Sequence, residues 1–108
     1  MELSCACLRG DIKDVKWLIE NRKNIDIHAY HEQAFRWACY YNNLEVAKWL
    51  IDVSQKKRLG KINIYAYDND ALRHVCVRKY IHIAKWLFTF YSNKRLIKLK
   101  RYIFVREE

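Results

Sequence analysis

The chain has 108 residues with a formal net charge of +9, and 52% of its residues are apolar, which excludes a disordered chain and fits one folded domain. The absence of proline and the presence of only two glycines favour helices and argue against an all-β fold. No stretch reaches the roughly 18 consecutive apolar residues of a membrane-spanning helix, and the N-terminus turns polar too early for a signal peptide, so we expect an intracellular protein, cytoplasmic by default.

Three copies of one pattern follow each other along the chain. They start at Glu2, Ala34 and Ala71, and they read ELSCACLRGDIKDVKWLI, AFRWACYYNNLEVAKWLI and ALRHVCVRKYIHIAKWLF. The second copy superimposes on the first at an offset of 32 residues and on the third at an offset of 37. We therefore divide the single domain 1–108 into units of about 1–24, 25–61 and 62–91, followed by a basic tail or cap at 92–108.

Each unit predicts two short helices. In the middle unit, Phe35, Ala38 and Cys39 fall on one face of a first helix, and a second helix covers about residues 44–53. A helix pair this short cannot bury its own apolar stripe. The units must therefore stack on one another.

The residue after each first helix predicts a turn. The middle unit has Asn42 there, and asparagine tolerates the left-handed conformation that ends a helix. The first unit has Gly10, a better helix stop, and the third has Lys79, a weaker one. We expect the same turn in the first two units and leave the third less firmly defined.

One column of the repeat holds cysteine in every unit, at Cys7, Cys39 and Cys76. Together with Cys5 and His74 these thiols offer metal-ligand chemistry, but they lack the closely spaced pairs of common zinc modules. The column lies at a small position of the first helix, where cysteine packs as a small apolar side chain. We therefore predict neither a metal site nor a disulfide among the three, since stacked helices lie about 8–10 Å apart and a disulfide needs Cα atoms within about 7 Å.

A second column holds tryptophan in every unit, at Trp17, Trp49 and Trp86. Exposed tryptophans could stack on nucleic-acid bases. Each of these three, however, precedes a leucine of the second helix's apolar stripe, so we predict that they pack in the core. Trp37 replaces another usually apolar position, so we interpret it as mainly structural too.

Catalytic motifs are missing from the sequence. The four histidines form no cluster, and no serine or cysteine stands at a motif-like spacing from a histidine and an acid. Gly10 and Gly60 stand alone, so no glycine-rich phosphate loop is formed. The sequence predicts no enzymatic activity and no cofactor.

The second and third copies resemble ankyrin repeats. QAFRWACYYNNLEVAKWLI follows the ankyrin frame of Leu-His-x-Ala-Ala, a turn, and a Glu-Val-Val-x-Leu-Leu-Leu helix without a gap, and the resemblance covers about residues 2–91. It is most similar to the arrays that giant DNA viruses encode, which favour Ala-Leu-Arg as at 71–73 and Asp-Ile-His-Ala as at 26–29. The resemblance implies an all-α, short ankyrin-type solenoid of about three helix-turn-helix units with short hairpin-like loops, in a monomeric protein.

The chain departs from the family at the start of the first helix. The Thr-Pro-Leu-His signature is replaced by QAFR at 33–36 and by DALR at 70–73. The family uses the threonine and histidine to hydrogen-bond the backbone of the repeat and its neighbours. We expect arginine side chains to supply that support here.

The resemblance also implies a function, which is binding of a protein partner through the concave face, without catalysis. Partners of such folds lie across the hairpin tips and the first helices, and tyrosine and arginine are frequent binding hot spots. The positions before the inter-helix turn and at the hairpin tips are then the candidate partner contacts: Arg9, Tyr30, Tyr40, Tyr41, Tyr67, Val77 and Arg78.

Two alternatives stay open. The tail 92–108 holds six basic and two acidic side chains, and it could bind nucleic acid or an anionic surface, although such tails more often serve solubility. The candidate contacts for that function are Lys94, Arg95, Lys98, Lys100 and Arg101. Alternatively, the chain is a remnant of a longer array without an independent partner.

Overall fold

The computed structural model describes residues 2–92 and Lys94, and this part of the chain contains six helices and no strand. The helices are α1 (Leu3–Arg9), α2 (Ile12–Asn21), α3 (Ala29–Tyr40), α4 (Leu44–Lys56), α5 (Ala66–Val77) and α6 (Ile81–Phe88). They follow each other as three pairs, which confirms the all-α stack of helix-turn-helix units. None of them is long and apolar enough to cross a membrane.

The first helices of the three pairs form one layer. Helix α3 packs between α1 and α5, and each second helix packs against its own first helix. Small side chains line the contacts inside this layer, and Ala38 and Cys39 have no exposed surface. Close approach of the helices lets larger residues such as Phe35 and Leu72 become fully buried.

The cysteine column lies inside this core. Cys7, Cys39 and Cys76 are buried thiols, as expected for a small packing position. Burial raises the pKa of Cys7 to about 12 and raises the pKa of Cys39 further, so both thiols stay protonated at neutral pH. A protonated buried thiol is a poor nucleophile and a poor metal ligand.

The tryptophan column is only partly buried, and the prediction for Trp17 is wrong. Trp49 lies under the Lys16 ammonium of the preceding unit, 5.9 Å from the ring centroid, and Trp86 lies 6.3 Å from the ring of Phe35, again in the preceding unit. Trp49 and Trp86 therefore pack against the core and also contact the preceding unit. No unit precedes Trp17 in the described residues, and 56% of its surface is exposed.

The turns between paired helices share one geometry in all three units. Gly10, Asn42 and Lys79 each have a positive φ, between 61° and 73°. In each turn this residue donates its N–H to the carbonyl three residues back, and the next residue donates to the carbonyl five residues back, which is the Schellman pattern. The less firmly predicted turn at Lys79 is therefore formed as well.

Gly10 is required for packing as well as for its backbone conformation. The side-chain amide of Asn43 donates to the carbonyls of Cys7 and Leu8 at 2.8 and 2.9 Å, which ties the second unit to the end of α1. A Cβ atom at Gly10 would lie 2.5 Å from the Asn43 Oδ1. Any larger residue would displace this link between units.

Two hairpin-like loops precede α3 and α5 and repeat the same local bonds. Asp26 accepts from the backbone N–H of His28, and Asn63 accepts in the same way from Tyr65, each two residues ahead. Three residues with positive φ follow in each loop, at 30–32 and at 67–69. Regular helical backbone therefore begins only at Gln33 in α3 and at Asp70 in α5.

Charged side chains join the first hairpin to the following one. The buried carboxylate of Glu32 accepts from the backbone N–H of Asn63 and lies 2.8 Å from the Nδ1 of His28. The Nε2 of His28 lies 2.9 Å from the carbonyl oxygen of Leu59. Since both ring nitrogens face acceptors, the doubly protonated imidazolium satisfies this arrangement best.

The segment after α6 covers the end of the second hairpin. The hydroxyl of the buried Tyr91 donates to the Asn69 side chain at 2.9 Å, and the Tyr65 hydroxyl donates to the carbonyl of Phe90 at 2.9 Å. The rings of Tyr65 and Tyr91 meet edge to face, 4.9 Å apart. This segment therefore lies against the second hairpin in the same way as the second hairpin lies against the first.

Replacing Trp49 by alanine should destabilise the fold, whereas the same change at Trp17 should not. Trp49 is half-buried, so we expect a loss of about 2 kcal/mol, less than for a fully buried tryptophan. Trp17 is the matched control, for which we expect less than about 0.5 kcal/mol. Urea unfolding of both variants measures the difference, and equal losses would contradict the assignment of the column to the interface between units.

The His28 link should make stability depend on pH. Burial by itself lowers the pKa of His28, but the hydrogen bonds to Leu59 and Glu32 and the charges of Glu32 and Asp26 outweigh it, so the pKa is raised above its ordinary value of 6.5. A raised folded-state pKa gives stability that is fully present below pH 6.5 and is lost as the pH rises through the raised value.

We therefore expect His28→Ala to reduce the free energy of unfolding more at about pH 6 than at about pH 8.5. Denaturant unfolding at the two pH values checks this. His82→Ala, which removes an exposed histidine, serves as the control and should show no such dependence. An identical loss for His28→Ala at both pH values would mean that the imidazolium does not contribute.

Candidate functional site

The first helices expose one common face. On α3, the core residues Ala34, Phe35 and Ala38 are buried, whereas Trp37 is half-buried and Tyr41, just past the end of α3, is 55% exposed. The repeat places the corresponding positions of α1 and α5 beside them. We call this set the open face, and it consists of Cys5, Leu8, Arg9, Trp37, Tyr40, Tyr41, His74, Val77 and Arg78.

Large apolar side chains on the open face are accessible. Val77 is 78% exposed and Tyr41 is 55% exposed. Trp37 and Leu8 are half-buried. Because neighbouring units carry these side chains side by side, they form a continuous surface rather than isolated exposed residues.

Tyr40 is held in a fixed orientation at the centre of the open face. Its ring stacks on His74 of the next unit, with centroids 4.2 Å apart, and its hydroxyl accepts from the Nη1 of Arg36 at 2.8 Å. Two neighbours in different units thus define where this ring lies. A side chain fixed in this way loses little conformational entropy when a partner binds.

Arg36 organises the hairpin above the open face. Its Nε donates to the carbonyl of His31 at 2.9 Å and its Nη2 to the carbonyl of Tyr30 at 3.0 Å. Its Nη1 also lies 3.3 Å from the carboxylate of Asp70 in the next unit. The residue is only 7% exposed, so a buried guanidinium replaces the family's threonine and histidine.

Arg73 repeats part of this arrangement in the third unit. Its Nε donates to the carbonyl of Asp68 at 2.9 Å, again five residues back, and its guanidinium lies 3.7 Å from Asp70. The expectation that arginines support the hairpins is therefore confirmed in both units.

The hairpin tips carry aromatic rings that meet across the units. His31 stacks on Tyr67 with centroids 5.1 Å apart, and the Arg36 guanidinium lies 4.6 Å from the centroid of the Tyr67 ring. Tyr67 is nevertheless 59% exposed and Tyr30 is 76% exposed. Tyr30 joins the network only through its carbonyl, so its ring is directed to solvent.

The structure therefore groups the predicted partner contacts in two places. Tyr40, Tyr41, Val77 and Arg78 lie on the open face, as does Arg9, which pairs weakly with Asp14 at 3.8 Å on the surface. Tyr30 and Tyr67 lie at the hairpin tips.

Sequence reasoning missed Trp37 and His74 as residues of this region, and it expected Arg36 only to support the hairpin. The helical register of α3 could have revealed Trp37, because it lies one turn before Tyr41. Arg36 and His74 make contacts between different units, and no local sequence pattern predicts such contacts.

The charge on the open face is positive. Arg78 is exposed and forms no ion pair with any described residue. The pKa of His74 is lowered, first by burial and then by the positive charge of Arg78, while Asp70 opposes the shift. Asp70 itself is already engaged by Arg36 and Arg73.

No arrangement for catalysis or metal binding emerges from the described residues. Within 2–92 and at Lys94, no group of three or more His, Cys, Asp or Glu side chains could hold a metal ion. A cavity of about 330 Å³ lies between the end of α4, the second hairpin and Phe90, and no carboxylate, histidine or cysteine lines it. Its titratable lining side chains are Lys61 and Tyr65.

Most of the basic tail lies outside the described residues. Lys94 is exposed, whereas Arg95, Lys98, Lys100 and Arg101 lie outside the described residues.

Comparison with known proteins gives one result. The family model described as ankyrin repeats (3 copies) matches residues 3–97, which confirms the resemblance to ankyrin repeats. No curated protein and no solved structure matches the chain.

Arg36→Lys should destabilise the protein, because an ammonium group cannot reach the separate acceptors that the guanidinium fork serves. We expect a loss of about 2–3 kcal/mol, since buried acceptors are left unsatisfied. Arg73→Lys is the matched control, with a side chain that is 40% exposed, and it should cost less than about 1 kcal/mol. Urea unfolding distinguishes the two, and similar losses would show that Arg36 is not the central link.

Proposed function

Because this chain belongs to the ankyrin-repeat family, we propose that it is a non-catalytic module that binds another protein through its open face. Ankyrin repeats generally serve as protein–protein interaction modules. A stack of helix pairs offers an extended surface and no enclosed pocket with catalytic groups. The fold itself does not identify a partner, so the proposal depends on the exposed side chains of the surface.

The observation that carries the proposal is the exposure of Tyr41 and Val77 beside the fixed ring of Tyr40. Apolar side chains exposed at 55% and 78% on neighbouring helices form a surface that a partner could bury. Aromatic and arginine residues are enriched in interface cores, and the face supplies both. We assign the partner contacts to Arg9, Tyr30, Tyr40, Tyr41, Tyr67, Val77 and Arg78, and we add Trp37 and His74.

The proposal also covers the cellular setting and the oligomeric state of the chain. The likeness of residues 26–29 and 71–73 to the arrays of giant DNA viruses supports a partner encountered inside a host cell. We propose that the chain acts there as a monomer, since its open face is aromatic and basic and would not complement a second copy of itself.

Affinity capture followed by reconstitution tests the function. The intact chain, a Tyr41→Ala/Val77→Ala/Arg78→Ala variant and a Trp17→Ala variant are immobilised, and the bound proteins are identified. The triple variant changes only exposed side chains, so it should stay folded, as circular dichroism would verify. A purified partner should then bind the intact chain and Trp17→Ala equally, and bind the triple variant at least about tenfold more weakly.

A further variant distinguishes the alternatives. Replacement of Lys94, Arg95, Lys98, Lys100 and Arg101 by glutamine removes five of the tail's six basic charges and leaves residues 1–91 unchanged. Nucleic acid bound by the intact chain with a steep salt dependence, and lost in this variant, would replace our proposal with the electrostatic one. Recovery of no specific protein or nucleic acid would favour a remnant of a longer array.

A further inference from the structure

The linker between the second and third units is longer than the first linker, and its extra residues help to form a cavity. The offset between copies rises from 32 to 37 residues because of this insertion. Helix α4 accordingly has 13 residues where α2 has 10, and the added turn holds Ser54 and Gln55. Both residues line the cavity of about 330 Å³ beside the second hairpin, as does Lys61 at the end of the linker. The insertion thus supplies one wall of the cavity.

The rest of the cavity lining is apolar. Ile62 and Ile64 of the second hairpin are buried and Ile51 of α4 is half-buried. The rings of Tyr65 and Phe90 complete the lining, and Phe90 keeps 38% of its surface exposed. The volume of about 330 Å³ lies at the lower end of the range of about 300–1,000 Å³ that is usual for ligand pockets. A fitting ligand is therefore apolar and small, with about a dozen non-hydrogen atoms.

The polar groups of the lining favour a negative charge on the ligand. Among the described residues that line the cavity, Lys61 alone is charged, and it forms no ion pair within the described part of the chain. The Oδ1 of Asn63 accepts from the backbone N–H of Tyr65 at 3.0 Å, which leaves the amide N–H groups of Asn63 as donors. The hydroxyl of Ser54 already donates to the carbonyl of Ile51 at 2.7 Å. The lining therefore offers an ammonium group and amide donors to an acceptor such as a carboxylate.

The carboxylates near this cavity are engaged elsewhere. Glu32 accepts from the backbone of the second hairpin and lies 2.8 Å from the imidazole of His28. Asp52 pairs with Lys56, one turn further along α4, at 3.0 Å. Neither carboxylate lines the cavity. A carboxylate brought in by a ligand would thus meet the ammonium of Lys61 without competition from these two groups.

We infer that this cavity binds a small amphipathic carboxylate, with its apolar part among the isoleucines and aromatic rings and its carboxylate paired with Lys61. The cavity lies just before the start of α5, whereas Val77 and Arg78 lie at the end of that helix. The site is therefore separate from the open face, and the inference goes beyond the proposed function without depending on it. For a ligand of about a dozen non-hydrogen atoms, we expect a dissociation constant on the order of 0.1–1 mM.

Titration of the full chain with phenylbutyrate, followed by amide NMR spectra, tests the inference. This probe has about a dozen non-hydrogen atoms and one carboxylate, and its uncharged amide has the same size and shape. Phenylbutyrate should cause saturable shift changes at residues 51–65 and at Phe90. The amide should bind about fivefold more weakly, and the difference should shrink as salt rises from about 50 to 200 mM.

Three variants locate the contact. Lys61→Gln should lower the affinity for phenylbutyrate about fivefold and leave the affinity for the amide unchanged. Lys57→Gln is the matched control, because it removes an exposed positive charge from the same linker but does not line the cavity, and it should bind both probes as the intact chain does. Gln55→Trp should weaken both probes, since the larger side chain takes up cavity volume. All three positions are exposed, so the variants should stay folded, as circular dichroism would verify.

Three results would overturn the inference: no saturable shift change up to about 10 mM probe, equal affinities for phenylbutyrate and its amide, or unchanged binding in Lys61→Gln. Shift changes confined to the open face would assign the carboxylate to Arg78 instead and would also refute the cavity site. Partner binding through Tyr41 and Val77 is tested separately by affinity capture, so the proposed function stands or falls independently of these results.

Discussion

Close contact between α1, α3 and α5 depends on side chains small enough to let the inner helices approach one another. Ala38 and Cys39 have no exposed surface, and the same column holds cysteine in each unit. The outer helices can bury their stripes only because this layer forms. The tryptophan column shows the consequence, since Trp49 and Trp86 gain neighbours from the preceding unit while Trp17 does not. Each unit is therefore completed by the one before it.

Charged groups hold the first hairpin to the second. Arg36 replaces the family's usual hydrogen-bonding pair, and Glu32 with His28 reaches the second hairpin. Buried charges are costly unless every polar atom has a partner. That condition is met, since no buried side-chain nitrogen or oxygen in the described residues lacks a hydrogen-bond partner. The arrangement fixes the hairpins firmly, but the loss of one member leaves the others buried without a partner.

The same arginine connects stability with the candidate site. Arg36 donates to the Tyr40 hydroxyl and lies over the Tyr67 ring, so one buried side chain orients residues of both the open face and the hairpin tips. Tyr41, Val77 and Arg78 have no such support and remain exposed. Packing between the units leaves these three side chains accessible. The open face therefore has a rigid aromatic centre flanked by accessible arginines.

The sequence by itself determined the three units, their helix pairs, the cysteine column and the turns at Gly10 and Asn42, because these depend on helical period and on local backbone preferences. Only the tertiary structure decided the exposure of Trp17, the burial of Arg36 and the place of Trp37 on the open face. A residue's neighbour in the next unit lies about 30 or more positions away, and no local pattern reports which side of a helix that neighbour covers. Burial depends on how the units stack, whereas the repeat pattern is present in the sequence of each unit.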